Sequence, residues 1–362
     1  MSADHPPTRV LLVGAGGMGR AWLRTLSARD DVTLAGVVDL DADAAARAAD
    51  DWPRDEPVPV FTDPARGLDA GSVDLLVDVT VPAAHHPVTM AALQAGVPVL
   101  GEKPAAATLA EAVQLAAASA RYEVPFVVSQ NRRYEPHAQA VVASVPQIGV
   151  PGLVDVSFAK APHFGGFREQ MEHVLLVDMS IHHLDFLRAV LGDDPIVDVV
   201  CDEFNPSWSW YAGAAGVAAI FRTASGARAT YTGSWCSPGL ETSWNADWRI
   251  SGPAGSIRWD GAGTPVLELP DRPGQEPAAD GDRHGLAASL EAMLAHLRGG
   301  PVPPTTIADN VASLALVFAA IESAETVARV AIVDVLDRAR EVAAATADDP
   351  ALADAVRAVP LG

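Results

Sequence analysis

Three short stretches hold the residue types that do chemistry: "GAGGMG" at 14–19, "GEKP" at 101–104 and "DMSIHHLD" at 178–185. The first fits G-x-G-x-x-G. Gly14 permits a tight turn, Gly16 lets backbone approach a pyrophosphate, and Gly19 allows a helix to pack closely on a strand. The second offers Lys103, one of two lysines in a chain with 25 lysines and arginines together. A compact ammonium can hydrogen-bond a reacting oxygen and stabilise a developing alkoxide. Arginine, a planar fork with a fixed charge, substitutes poorly for it. The third stretch sets Asp178 and His182 four residues apart, on one face of a predicted helix. An imidazole titrates near working pH and suits a general base, while Asp178 can fix a substrate or the imidazole.

Plainer readings stand beside these. A preference for arginine codons alone makes lysine rare. The cluster His173, Asp178, His182, His183 and Asp185 has metal-ligand types, but no closing partner is evident elsewhere, so no metal is expected. His183, one position off the active face, reads as packing or as a group supporting the site from behind, and Asp185, three residues after His182, as a group that orients it. Lys160 precedes "APHFGGF", a two-glycine loop able to close over substrate that contains His163, and both are candidate polar contacts. Trp208, Trp210, Trp235, Trp244, Trp248 and Trp259 can stack on sugar faces, but tryptophans alternating on a sheet more often form core or interface.

Elements must position these groups. Apolar runs at 9–13, 32–38, 73–79, 97–100 and 125–129 read as strands; they alternate with helices at 18–29, 41–50, 86–95 and 108–121. That alternation signals a parallel sheet covered on both faces. After about residue 150 the pattern becomes successive strands at 152–160, 196–204, 216–223, 227–235, 243–250 and 255–259, interrupted by one helix at 174–191. Helices at 286–298 and 307–327 follow, and the tail from 335 reads as helical and peripheral. Asp39 closes the second strand 20 residues after Gly19, where an acid binds a ribose 2′-hydroxyl and repels a 2′-phosphate. NAD is therefore expected, with NADP possible because Arg47 follows on the next helix.

In order along the chain, "GAGGMG", "GEKP", "NRRYEP" at 131–136 and "DMSIHHLD" resemble the Gfo/Idh/MocA oxidoreductases, and "SAETVARVAI" resembles that family's closing helix and strand. The resemblance implies an α/β protein: a Rossmann dinucleotide-binding domain over 1–130 and an α+β substrate-binding and oligomerisation domain over 131–362. The second domain would carry a large, mostly antiparallel open sheet, and the C-terminal helices can pack back on the first domain. It also implies a nicotinamide enzyme with Lys103, Asp178 and His182 around the carbon that gives up hydride. Ser180 stands where the family usually has glycine. Cofactor contacts implied are Gly14, Gly16, Gly17, Met18, Gly19, Asp39, Thr80, Val81, Pro82, His85, Glu102 and Lys103. Substrate contacts are Lys103, Arg132, Lys160, His163, Asp178 and His182, with Arg133 structural.

Composition narrows the partners. A net charge of −21 over 362 residues argues against nucleic acid and anionic membrane, and leaves a small neutral carbohydrate-like substrate. Two cysteines make no disulfide framework, "MSADHPPTRV" lacks a signal-peptide pattern, and charges interrupt 311–336, so a cytoplasmic protein is expected. A homodimer or homotetramer through the second-domain sheet is expected. The reading is thus an NAD(P)-dependent dehydrogenase of a sugar, polyol or cyclitol. Its rivals are a non-catalytic NAD(P)-binding sensor on the same fold and an enzyme that cleaves glycosides by transient oxidation.

Overall fold

The structure, a computed structural model, describes residues 6–54, 56–277 and 284–360. The chain divides into two units. One comprises residues up to Gln130, Leu286–Ala312 and the stretch from Ala339; the other comprises Asn131–Gly285 and Ser313–Arg338.

The first unit is a six-stranded parallel sheet. Its strands are β1 (Thr8–Val13), β2 (Val32–Val38), β3 (Val60–Phe61), β4 (Leu75–Asp78), β5 (Val99–Gly101) and β6 (Phe126–Val128), in the order β3-β2-β1-β4-β5-β6. The strands are short apolar runs because both faces are covered: Val10, Leu11, Leu12, Leu75, Leu76, Val77, Val99 and Leu100 have no exposed surface. Helix Gly17–Ser27 turns Trp22, Leu23 and Leu26 inward, and the later helix Gly285–Leu297 adds Leu290, Met293 and Leu294 to the same core. The strand order reverses between β1 and its neighbours β2 and β4, and such a reversal opens a crevice at the carboxyl ends of the strands.

The tail is not peripheral. Helices Ile332–Ala345 and Pro350–Ala358 bury Ala343, Leu352 and Val356, and Gln114 of helix Leu109–Tyr122 donates to the carbonyl of Ala343 at 2.9 Å. Alanine, which looks bland in sequence, here allows close helix packing.

The second unit is a nine-stranded sheet. Its strands are β7 (Leu153–Ala159), β8 (Ile196–Phe204), β9 (Gly216–Thr223), β10 (Arg228–Ser234), β11 (Asp247–Gly252), β12 (Gly255–Trp259), β13 (Val266–Leu269), β14 (Arg272–Gln275) and β15 (Val330–Ala331). They run in the order β14-β13-β12-β11-β7-β10-β9-β8-β15, antiparallel except for β7 with β10. Alternation sets the faces: Val154, Val156 and Phe158 of β7 are buried, and Leu153 and Ser157 are exposed. Trp235, Trp248 and Trp259 lie in the core, whereas Trp208 and Trp244 are exposed. Sequence reading also missed helix Pro136–Ile148, which packs against β12. Helix Ile307–Thr326 is long and apolar enough to cross a membrane, but its Val311, Leu314, Val317 and Ala320 are buried in the protein.

Candidate active site

In the first unit, β1 runs into the glycine turn. Gly14 takes φ +104°, and a Cβ there would stand 2.6 Å from the carbonyl oxygen of Val79; at Gly19 a Cβ would stand 2.1 Å from that of Gly14. Only glycine fits either place. Gly16 and Gly17 face open space, with nothing within 4 Å of an added Cβ. Gly16 caps the helix without a side-chain bond, and its first turn holds no acid, so its N–H groups remain available to an anion. Met18 is exposed on the same turn. Asp39 directly follows β2, its carboxylate oriented by the N–H groups of Ala15 at 2.7 Å and Asp41 at 3.0 Å. These residues fit a dinucleotide: an open backbone cradle for pyrophosphate and a fixed acid for a ribose. Arg47 stands 3.8 Å from Asp41, both well exposed.

The ends of β4 and β5 are tied together. Buried Asp78 accepts from the N–H (3.1 Å) and hydroxyl (2.6 Å) of Thr80 and from the hydroxyl of Thr89 (3.2 Å). Desolvation pushes its carboxyl above the usual range, opposed by His85 and these hydrogen bonds. Buried His85 sets Nδ1 2.7 Å from the carbonyl oxygen of Pro104 and Nε2 3.1 Å from that of Thr80. Its ring therefore clamps the segment after β4 to the segment after β5, and both nitrogens are engaged inside the unit. Val81 is exposed, and Pro82 opens helix Pro82–Gln94. Glu102 accepts from the Trp22 indole N–H at 2.8 Å and from the Lys103 N–H at 3.3 Å. Desolvation raises its carboxyl too, against the pull of Trp22 and Lys103. Glu102 thus joins the glycine helix to the turn that carries Lys103.

In the second unit, Asp178 and His182 do not share one α-helix. Leu175–Ser180 is a π-helical turn, and the α-helix starts at Ile181. A π-turn bonds i to i+5 and commonly marks a functional position. Ser180, in the family's usual glycine position, explains itself by its partners. Its hydroxyl donates to the Tyr231 hydroxyl at 2.9 Å, which lies 3.1 Å from His183 Nδ1; His183 Nε2 meets the Trp244 carbonyl at 3.1 Å. With the serine donating to it, Tyr231 donates onward to a neutral His183. Desolvation, with Arg132 nearby, lowers His183 to about 3. His183 is therefore buried with both ring nitrogens engaged.

Asp185 does not orient His182. Its buried carboxylate takes Nε (2.6 Å) and Nη2 (3.1 Å) of Arg133 and the Ser313 hydroxyl (2.6 Å). Arg132 points elsewhere: its Nη1 donates to Asn245 Oδ1 at 2.6 Å, and its enclosed Nε has no hydrogen-bond partner. Arg132 and Asn245 line a water-sized cavity together with His182, His183 and Phe186. Lys160 pairs with Glu241 at 2.9 Å and sits over the Trp244 ring, and His163 stacks on Trp210 at 3.7 Å.

Sequence reading missed Arg168. Its Nε donates to Asp178 Oδ2 at 2.7 Å, and its guanidinium lies over the rings of Phe164 and Phe167. The available signal was an arginine beside two phenylalanines in a glycine loop before the chemistry-bearing turn. Asn245 was missed as well; nothing local distinguishes it.

A family model described as the NAD-binding Rossmann fold of the GFO/IDH/MocA oxidoreductases matches residues 8–130, and the GFO/IDH/MocA C-terminal domain model matches 147–258. A D-apiose dehydrogenase of Paraburkholderia graminis is 31% identical over 50% of this chain and 49% of its own. An inositol 2-dehydrogenase of Saccharopolyspora erythraea is 32% identical over 51% of this chain and 54% of its own. Alignment thus spans about half the length of these two dehydrogenases. An Agrobacterium radiobacter oxidoreductase, crystallised with NAD+, L-tartaric acid and magnesium, superposes with a TM-score of 0.79 at 22% identity, covering 90% of this chain and 99% of that one.

Proposed function

The chain belongs to the GFO/IDH/MocA family of NAD-binding oxidoreductases, and from that premise we propose that it is a dehydrogenase of a secondary alcohol on a sugar, polyol or cyclitol. The observation that carries the reading is the open glycine turn, with an uncapped helix N-terminus and an adjacent oriented acid, in a chain related to named sugar and inositol dehydrogenases. NAD, when bound, takes or returns the hydride. Gly14, Gly16, Gly17, Met18 and Gly19 form the pyrophosphate turn, and Asp39 holds the adenine ribose. Thr80, Val81, Pro82 and Glu102 line the remainder of the cofactor site, with His85 bracing it from behind.

On the substrate, His182 takes the hydroxyl proton and Lys103 holds the reacting oxygen as negative charge develops. Asp178, anchored by Arg168, positions the hydroxyl. Arg132, Lys160 and His163 supply further contacts. Both cysteines are free and buried, which suits a reducing cytoplasm.

The test is a panel of polyols and sugars with NAD+, followed by absorbance of the reduced cofactor. Turnover that falls about 100-fold or more in Lys103→Met supports the reading. Full activity in Lys103→Met sinks the mechanism; NAD binding without turnover of any panel member favours the sensor.

A further inference from the structure

Lys103 stands where the backbone donors run out. The Glu102 N–H still reaches the Asp78 carbonyl at 2.8 Å, but Lys103 is followed by Pro104, which has no N–H to give. Two side chains hold the turn instead. After the lysine, His85 Nδ1 lies 2.7 Å from the Pro104 carbonyl oxygen. Before it, one oxygen of the Glu102 carboxylate receives the Lys103 N–H at 3.3 Å and the other receives the indole N–H of Trp22 at 2.8 Å. Lys103 therefore sits between two fixed points, and one of them is set from helix Gly17–Ser27, 80 residues earlier.

Packing alone does not call for tryptophan at position 22. The side chain has no exposed surface and belongs to the same apolar core as Leu26, Leu100 and Val127. Phenylalanine or leucine would fill such a place without a polar atom to satisfy. The one polar atom of Trp22, Nε1, goes to a carboxyl that is itself removed from water. Desolvation raises Glu102 above the usual carboxyl range, and the Trp22 N–H is the largest of the contacts that pull it back, ahead of Lys103 and His85. Those two are the charged groups that act on this carboxyl, and His85 in turn acts on Asp78 at the end of β4.

We propose that Trp22 is a positioning residue for Lys103: its indole N–H fixes the Glu102 carboxylate, which seats the lysine that holds the reacting oxygen. This assignment rests on the dehydrogenase reading above and adds to it a residue remote from the chemistry. The seat depends on charge as well as on shape. Glu102 holds both N–H groups and attracts the ammonium most strongly as a carboxylate. That state is lost as pH falls through the pKa of the folded carboxyl, and deleting a donor raises that pKa. Trp22→Phe keeps an aromatic ring and deletes the N–H, so Lys103 should lose its seat at a higher pH than in the wild type.

The chain has two lysines and eight tryptophans, so both groups can be followed by NMR. Lysine labelled with carbon-13 gives two Cε resonances, assigned by Lys160→Arg, and the indole N–H groups give one resonance each. In the NAD-loaded protein the Lys103 Cε resonance and one indole resonance should step with a common midpoint as Glu102 titrates, and Glu102→Gln should abolish both steps. Trp22→Phe should remove that indole resonance and move the Lys103 midpoint up by about one pH unit or more. On the best panel substrate, kcat of Trp22→Phe should fall about 10-fold at neutral pH and recover as pH rises, with KM and NADH affinity within about two-fold of wild type. The wild-type titrations and Glu102→Gln keep the test decisive if Trp22→Phe folds poorly. Separate midpoints, or a Lys103 midpoint that Trp22→Phe leaves unmoved, overturn the positioning role, and turnover then leaves the dehydrogenase standing. A kcat loss that no pH restores, with NADH affinity falling alongside, makes Trp22 a packing residue and also overturns it. A common midpoint that depends on Trp22, in a protein that turns over no panel member, supports the seat and overturns the dehydrogenase reading.

Discussion

Around Gly14–Gly19 the first unit works with backbone. Side chains are absent where a ligand must approach, and bare N–H groups and one oriented acid define the place. Around Asp178–His182 the second unit works with side chains: charged, aromatic and hydroxyl groups gathered from far along the chain. Arg133 meets Asp185 across 52 positions, and Ser180 meets Tyr231 across 51. A backbone site follows from local conformation, so it tolerates almost no substitution. A side-chain site follows from tertiary packing, so individual members can change while the scaffold stands, and that is where substrate choice can vary.

The largest effect should come from breaking the backbone site. Gly19→Ala puts a Cβ 2.1 Å from the Gly14 carbonyl oxygen, so the turn must open. NAD affinity should fall about 100-fold or more, measured by titrating the binding of NADH through its fluorescence. Unchanged affinity would mean that the turn is only a connection.

Next comes the contrast within the second unit. Arg133→Met leaves Asp185 buried without its counter-ion, and stability should drop by about 3–5 kcal/mol in urea unfolding. Arg132→Met removes a cation that makes no ion pair among the described residues, Glu135 acting on it only through its charge, so it should cost much less stability. Equal losses would erase the distinction between a structural and a ligand-facing arginine.

A smaller effect concerns pH. His183 is held neutral with its pKa lowered to about 3 from an ordinary 6.5. Between those values the unfolded chain binds a proton that the folded one does not. Stability from this group is therefore complete above about pH 6.5 and declines as pH falls toward 3, at no more than about 1.4 kcal/mol per unit. Unfolding of His183→Gln at a series of pH values should lack this contribution. The same slope in both proteins would place the proton elsewhere.

The difference between the two units also explains what was legible in the sequence. Strand alternation and the glycine spacing are local signals, and β1, β2 and their turn were read within a residue or two. The "DMSIHHLD" turn was read as plain α-helix because sequence periodicity does not distinguish a π-turn of six residues. Asp185 was assigned to His182 because they are near in sequence, but Arg133 and Ser313 claim it from afar. His85 was read as a cofactor contact from its place after β4, while its partners, the Thr80 and Pro104 carbonyls, emerge only when β4 and β5 align. Arg168 escaped for the same reason: its significance lies in what the loop folds against.

The central claim is that the first unit holds NAD and the second supplies the group that takes the substrate's proton. His182→Ala separates these most directly, by comparing NADH binding with the rate of NAD+ reduction on the best panel substrate. The account predicts cofactor affinity equal to wild type and a rate lowered about 100-fold or more. A His182→Ala enzyme that reduces NAD+ at the full rate would contradict it.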